Sequence, residues 1–336
     1  MSNHYRLIGM IGSPYSMKMR AILRYRHIPF HWVLKNTKAS EEVAHVKPPI
    51  IPVLQFPEDK SYHLDSTPLV YELEKRYPDK RSIIPHDPVL AFLSYLIEDM
   101  ADEWVTKMMY GYRWWFTADQ KYCSLWMVHM GGGPAKREDL QKAAQMITDV
   151  QTSRLGLVGC TEENKSIIED SFLHLLDILE RNQEDSYFLF GTRPSLADFG
   201  LYGQLYQLNH DPTSLAIMRE KSPLVCSWID IIDDASGMED GEWIDSNAPL
   251  PEAVTELLSM AGEVYFPFLL ANTKAFEQGE KSFSLTLLNR PYEQETFKYQ
   301  AKCHQWLREK YAELSVDTKD RVDSVLKDTG CLEGLV

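Results

Sequence analysis

The sequence predicts a small α/β unit, then an all-α region, then further helices toward the C-terminal end. Three observations carry this expectation. Strand and helix signals alternate through the first 85 residues, strand signals largely vanish from Pro88 onward, and helical periodicity resumes after an acidic, Gly- and Pro-punctuated break at 233–251.

The elements follow in order. Residues 5–10 form a compact β-like run, Met17, Ala21, Tyr25 and Ile28 recur at helical spacing, and Phe30, Trp32 and Leu34 alternate as in a half-buried strand. Such a β-α-β unit calls for parallel strands and a right-handed crossover. Two short β-like runs, "PIIPVLQF" and "SYHL", flank Pro57-Glu58-Asp59-Lys60, which reads as a hairpin turn. A helix follows over 66–77, with Ser66 as its expected N-cap, Pro68 in its first turn and Pro78 as its stop. The "PHDP" stretch at 85–88 reads as a linker. Helices are expected over 88–116, 136–152, 162–180, 195–209 and 223–233, and after the acidic break over 252–277 and 292–314, with a weaker tail beyond Asp317. No internal repeat is visible.

Bulk properties narrow the function. With 336 residues, 44% hydrophobic and 25% charged, the chain has the composition of a soluble globular protein long enough for two or three domains. A net charge of −14 argues against a nucleic-acid partner, which needs a cationic face to displace counterions. No signal peptide and no run of about 18 uninterrupted apolar residues is apparent, so no membrane span is expected. Five scattered cysteines without a CxxC pair suit reduced thiols and a cytoplasmic location. The sequon Asn164-Lys165-Ser166 carries little weight against that.

Several motifs have plain structural readings. "MGGGPAK" at 130–136 lacks a phosphate loop's ending and preceding strand, and reads as a flexible turn. His27 and His31 are separated by Pro29 and do not form a helical metal pair. Glu98, Asp99, Asp102 and Glu103 lack a matching second set of ligands and read as a solvated helix face; no metal site is expected. Ser195 and Asp198 form a capping box, an element of stability.

Four segments carry a resemblance: "SPYS" at 13–16 after the first strand, "IIPVL" at 50–54, "DS" at 65–66, and "RPSLADFGLYGQL" at 193–205. In this order and spacing they resemble the glutathione transferase superfamily. Residues 1–85 are similar to its thioredoxin-like, glutathione-binding N-terminal domain, and residues 86–235 to its all-helical substrate domain. Residues 236–336 exceed the usual length and are expected as an additional helical extension packed on the second domain.

The resemblance implies an enzyme that adds the thiolate of glutathione to an apolar electrophilic small molecule, without a metal and as a homodimer. The alternatives are a non-catalytic binding protein, or a glutathione-dependent etherase, dehalogenase or isomerase. A free thiol titrates near about 8.5, so a hydroxyl donor and a helix dipole beside the sulfur would favour the reactive anion. Ser13 is the first choice for that donor, with Ser16 and Tyr15 as runners-up. Neither position 13 nor 16 is cysteine, so disulfide exchange has no protein nucleophile there. The resemblance further implies a cis bond between Ile51 and Pro52 that turns backbone groups toward the cysteinyl unit. Asp65 and Ser66 would hold the γ-glutamyl end. Ile50 stands where many relatives carry a polar residue for the glycyl carboxylate, and Lys47 is nearby but out of register. Trp104, Met108, Tyr112 and Trp115, at three- and four-residue spacing, would line the apolar substrate pocket; the plain alternative is a core stripe.

Overall fold

The computed structural model describes residues 4–78 and 81–336. Its first part is the expected β-α-β, β-β-α unit: β1 (Tyr5–Gly9), α1 (Pro14–Tyr25), β2 (Phe30–Leu34), α2 (Thr37–Glu42), β3 (Val53–Gln55), β4 (Tyr62–Leu64) and α3 (Ser66–Arg76). The sheet order is β2-β1-β3-β4, with β1 and β2 parallel and the other two pairs antiparallel. α1 places Met17, Ala21, Ile22 and Tyr25 in the core, as their spacing requires. α3 differs in one detail. Its N-cap is Asp65, one residue earlier than the sequence suggests, and Asp65 makes no side-chain cap bond.

The helical part comprises α4 (Pro88–Met100), α5 (Thr106–Trp115), α6 (Thr117–Gly132), α7 (Arg137–Thr152), α8 (Leu155–Val158), α9 (Lys165–Asp185), α10 (Leu196–Leu208), α11 (Pro212–Lys221) and α12 (Pro223–Asp233). A π turn, Ala101–Val105, joins α4 to α5 without a break. α6 carries helix into the glycines of 131–132 and ends where Gly133 takes φ +77°, so the expected turn starts late. α6 and α11 escape periodicity because neither sorts its apolar residues onto one face.

α10 runs through the middle, buried on nearly every side and packed against α1, α4 and α5. Its capping box is as expected: Asp198 Oδ2 accepts the Ser195 N–H at 2.8 Å and Ser195 Oγ accepts the Asp198 N–H at 3.4 Å. Asp198 also accepts the Leu189 N–H, which ties the preceding loop to the helix start. A Cβ at Gly203 would lie 2.8 Å from the Pro14 carbonyl oxygen, so glycine permits α1 to approach.

The C-terminal segment holds α13 (Glu252–Met260), a π turn (Ala261–Tyr265), α14 (Phe266–Gln278), β5 (Ser282–Leu287), β6 (Arg290–Glu295), α15 (Lys298–Ala312), α16 (Val316–Leu326) and α17 (Leu332–Leu335). The helix expected over 292–314 is corrected here: residues 290–295 pair antiparallel with 282–287, and the helix begins at Lys298. Phe283, Leu287 and Tyr292 are buried beside exposed alternate residues, a period of two. Leu288 and Asn289, at φ +48° and +61°, make the two-residue turn whose handedness matches the strand twist.

This hairpin is clamped onto the helical part. Asn164, fully buried, donates to the Gly159 and Glu293 carbonyls and accepts the Glu293 N–H. The sequon asparagine is therefore committed to packing. Lys107, also fully buried, donates to the Val158 carbonyl and to Gln294 Oε1 at 2.8 and 2.7 Å. Burial pulls its pKa down to about 8. By length and composition the Glu252–Gln278 run could cross a membrane, but most of it is buried inside the molecule against α9, α15 and the hairpin.

Candidate active site

Strand register assembles one edge of the sheet. Ile8 pairs with Val53 and Val53 with Leu64, so the turn after β1, the residue before β3 and the residue after β4 come out side by side. These are the Gly12-Ser13 turn, Pro52 and Asp65. The Ile51–Pro52 bond is cis, as the resemblance implies. Ser66 is buried as the first residue of α3. Asp65 holds φ +74°, a backbone state that L residues other than Asn and Asp rarely adopt and that recurs at ligand-binding sites. Ile50 is exposed, and Lys35 on the loop after β2 is partly desolvated, which lowers its pKa.

The three hydroxyls of "SPYS" take separate places. Ser16 is fully buried; its Oγ lies under β1 and accepts the Met10 N–H at 3.4 Å. Tyr15 reaches between the α/β and helical parts and donates to the Asp102 carbonyl at 2.9 Å. Burial and the neighbouring Glu103 and Asp102 raise its pKa far above the ordinary phenol value. Ser13 is the N-cap of α1, half-buried, with Oγ accepting the Ser16 N–H at 3.3 Å. That leaves the Ser13 O–H free to donate outward.

Sequence reading missed the support beneath this turn. Arg113, buried in α5, donates Nη1 to the Gly12 carbonyl at 2.9 Å while Nε pairs with Asp211 at 2.7 Å. Gln207 of α10 donates to the Ile11 carbonyl and accepts from Arg113. The planar, always-charged Arg113 fork holds the Gly12 carbonyl directly and, through Gln207, the Ile11 carbonyl before it, so two successive carbonyls ahead of Ser13 are fixed. The one available signal is an arginine inside the apolar run "MMYGYRWWF". Its partners, about a hundred residues away, give no local cue.

The expected pocket residues are core. Trp104 is buried against Phe268 and Tyr292 of the C-terminal segment, with Met108 fully buried one turn on. Tyr112 packs on Phe172 and Phe116, and Trp115 donates to the Cys160 carbonyl. The extension covers Trp104, while Tyr112 and half-buried Trp115 are covered from Phe116, Phe172 and the Cys160 loop, so the stripe packs as core, which corrects the pocket assignment. Apolar surface beside Ser13 comes instead from α6: a Cβ at Gly12 would lie 2.8 Å from Trp126 and 2.9 Å from Met127. Both side chains are half-buried. A separate cavity of about 1020 Å³ lies between α14, α15, α16 and α17, bordered by Phe276, Tyr311, Leu335, Lys298, Lys302 and Arg308.

The expected solvated face is also corrected. Glu98, Asp99, Asp102 and Glu103 are all buried, because α4 and the π turn are covered by α1, α10 and the C-terminal segment. Fully buried Lys18 pairs with Glu98 and, at 2.7 Å, with Asp102. Thr67 donates to Glu98 and Tyr265 to Asp99. Burial raises the Asp99 pKa and pushes Asp102 up to about 7 and Glu103 to about 8, although Lys18 pulls Asp102 down. Among the described residues no His, Cys, Asp and Glu grouping suits a metal ion.

The comparisons with known proteins fall on the same segments. A model described as "Glutathione S-transferase, N-terminal domain" matches residues 7–81, and one described as "Glutathione S-transferase, C-terminal domain" matches residues 151–230. No curated protein matches the chain. Similar solved structures include glutathione transferase GSTFuA3 from Phanerochaete chrysosporium, at 15% identity and TM-score 0.48, covering 72% of this chain and 98% of that one. The beta-etherase LigF from Sphingobium sp. strain SYK-6 is 17% identical with TM-score 0.45, covering 75% and 98%. A glutathione S-transferase from Methylobacillus flagellatus KT with glutathione bound is 18% identical with TM-score 0.41, covering 69% and 96%. With a thioredoxin-like four-stranded unit leading into a helical part, and both domain models matched in that order, the chain belongs to the glutathione transferase superfamily.

Proposed function

We propose that this protein is a glutathione-dependent transferase in which Ser13 stabilises the glutathione thiolate for attack on an apolar electrophile. One observation carries the reading: of the three hydroxyls in "SPYS", Tyr15 donates its O–H inside the fold and Ser16 is fully buried under β1, whereas Ser13 is half-buried at the site edge and its Oγ, among the described residues, only accepts. The Ser13 O–H and the positive end of α1 both lower the energy of an adjacent sulfur anion.

The residues at the edge fit the tripeptide. Backbone groups of Ile51, turned outward before cis Pro52, suit the cysteinyl unit, and the N–H groups opening α3 at Ser66 suit an α-carboxylate. The Asp65 carboxylate answers an α-ammonium. Half-buried Trp126 and Met127 offer an apolar wall for the electrophile. Neither residue 13 nor 16 is a thiol, so the chemistry is addition or displacement by the bound thiolate rather than exchange through the protein.

Turnover of a panel of electrophiles with glutathione, wild type against Ser13→Ala, tests this. The variant is expected to lose about 100- to 1,000-fold in kcat/KM, as for removal of one preorganised donor to a developing anion. It should also shift the bound thiol's titration upward in ultraviolet absorbance. Undiminished turnover in the variant removes Ser13 from the mechanism.

A further inference from the structure

The acidic enclosure between the α/β part and the helical part has more negative than positive side chains. Among the described residues Asp65, Glu98, Asp102 and Glu103 meet two lysines: Lys18 pairs with Glu98 and Asp102, and Lys107 acts on Glu103. Among the described residues Glu98 Oε2 and Asp102 Oδ1 are buried without a hydrogen-bond partner, and Asp65 acts electrostatically on both Asp102 and Glu103. An enclosure with this imbalance is complementary to a cationic group.

The C-terminal segment closes it. Asn272, fully buried in α14, donates to the Phe297 carbonyl at 3.0 Å and accepts the Phe297 N–H at 2.8 Å. That grip fixes the start of α15. Two residues on, the Tyr299 ring is flanked by Phe297 and Trp306, and its hydroxyl donates to Asp65 Oδ2 at 3.2 Å. Asp65 has no cap bond of its own, so this hydroxyl is what fixes the carboxylate's direction among the described residues. A carboxylate has about four acceptor positions, so the second oxygen stays open to a ligand.

We propose that α15 completes the ammonium-binding end of the thiol site, with Tyr299 as a positioning residue that aims Asp65 at the α-ammonium of a γ-glutamyl thiol. This rests on the proposed function above, and adds to it that the extension, outside both matched domain models, selects for a free ammonium.

Titration calorimetry on the full chain tests it with two probes, glutathione and its deamino analogue, which lacks only the ammonium. Wild type prefers glutathione. Tyr299→Phe is expected to weaken glutathione about tenfold, the scale of a hydrogen bond to a charged group, and to erase the preference by the same factor. Affinity for the deamino analogue stays within about twofold, which separates positioning from a general loss of structure. Asp65→Asn is expected to remove the preference outright. Equal or tighter glutathione binding by Tyr299→Phe, with wild type binding normally, overturns the role of Tyr299 alone; tighter binding would mean that the hydroxyl blocks the carboxylate. A wild-type protein that binds neither probe overturns the proposed function together with this inference.

Discussion

Replacing Lys18 with methionine keeps the length of the side chain and removes its charge. The cost should depend strongly on pH. Lys18 is fully buried, and Glu98 and Asp102 face it with almost no solvent contact. Taking one partner from a buried ion pair costs about 3 to 5 kcal/mol because the remaining charge is left uncompensated. Here a proton can substitute for the lysine. Carboxylates buried without a counterion have folded-state pKa values raised above their unfolded ones, so the variant's folded state binds more protons and its stability falls as pH rises through the folded values. With Lys18 present Asp102 already sits near about 7, and without Lys18 it moves higher. Each pH unit below that value returns up to about 1.4 kcal/mol per group. The variant is therefore expected to lose about 3 to 5 kcal/mol at pH 8, but only about 1 to 2 kcal/mol near pH 5. Urea unfolding followed by tryptophan fluorescence at the two pH values reads both numbers. An equal loss at both, or no loss at pH 8, refutes the account of Lys18 as the counter-charge of a buried cluster.

Two further outcomes follow from packing and charge. Glu103→Gln removes a buried carboxyl that burial pushes up to about 8 while keeping an acceptor for Gln300. The unfolded carboxyl titrates near about 4.3 and the folded one near about 8, so wild type loses stability as pH rises between those values; the variant's melting temperature should match wild type near pH 4 and exceed it increasingly up to pH 8. Gly262→Ala places a Cβ 1.7 Å from the Thr329 carbonyl oxygen. It should cost about 2 to 4 kcal/mol and open the segment after Thr329 to limited proteolysis, because neither backbone can yield cheaply.

The α/β unit was legible because its signals are local: period-two strands, a helix face of Met17, Ala21 and Tyr25, and prolines at first turns and stops. Ser13 as the cap of α1 and the Ser195 to Asp198 box were legible for the same reason. The acidic face was not. Four carboxylates within six residues look solvated until Lys18, eighty positions earlier, and α15, two hundred positions later, are brought against them. The run "LAFLSYLIEDMADEWV" does hold a clue, since apolar residues surround the acids on every side of a helix. The hairpin was hidden by Pro291, which argues against a strand in general but is tolerated at a two-stranded edge. The aromatic stripe from Trp104 to Trp115 was correctly seen as apolar; whether such a stripe lines a pocket or a core depends on what covers it, here residues far along the chain.

The bond from Tyr299 to Asp65 spans 234 positions, as does that from Arg321 to Asp87. Contacts of such separation pay a large closure entropy and form late. During synthesis the sheet edge with Ser13 and Pro52 can be folded long before residue 299 has left the ribosome. The nascent protein would then hold a thiol-facing edge whose Asp65 is not yet aimed, and selectivity for the ligand's charged end would arrive only with the final helices.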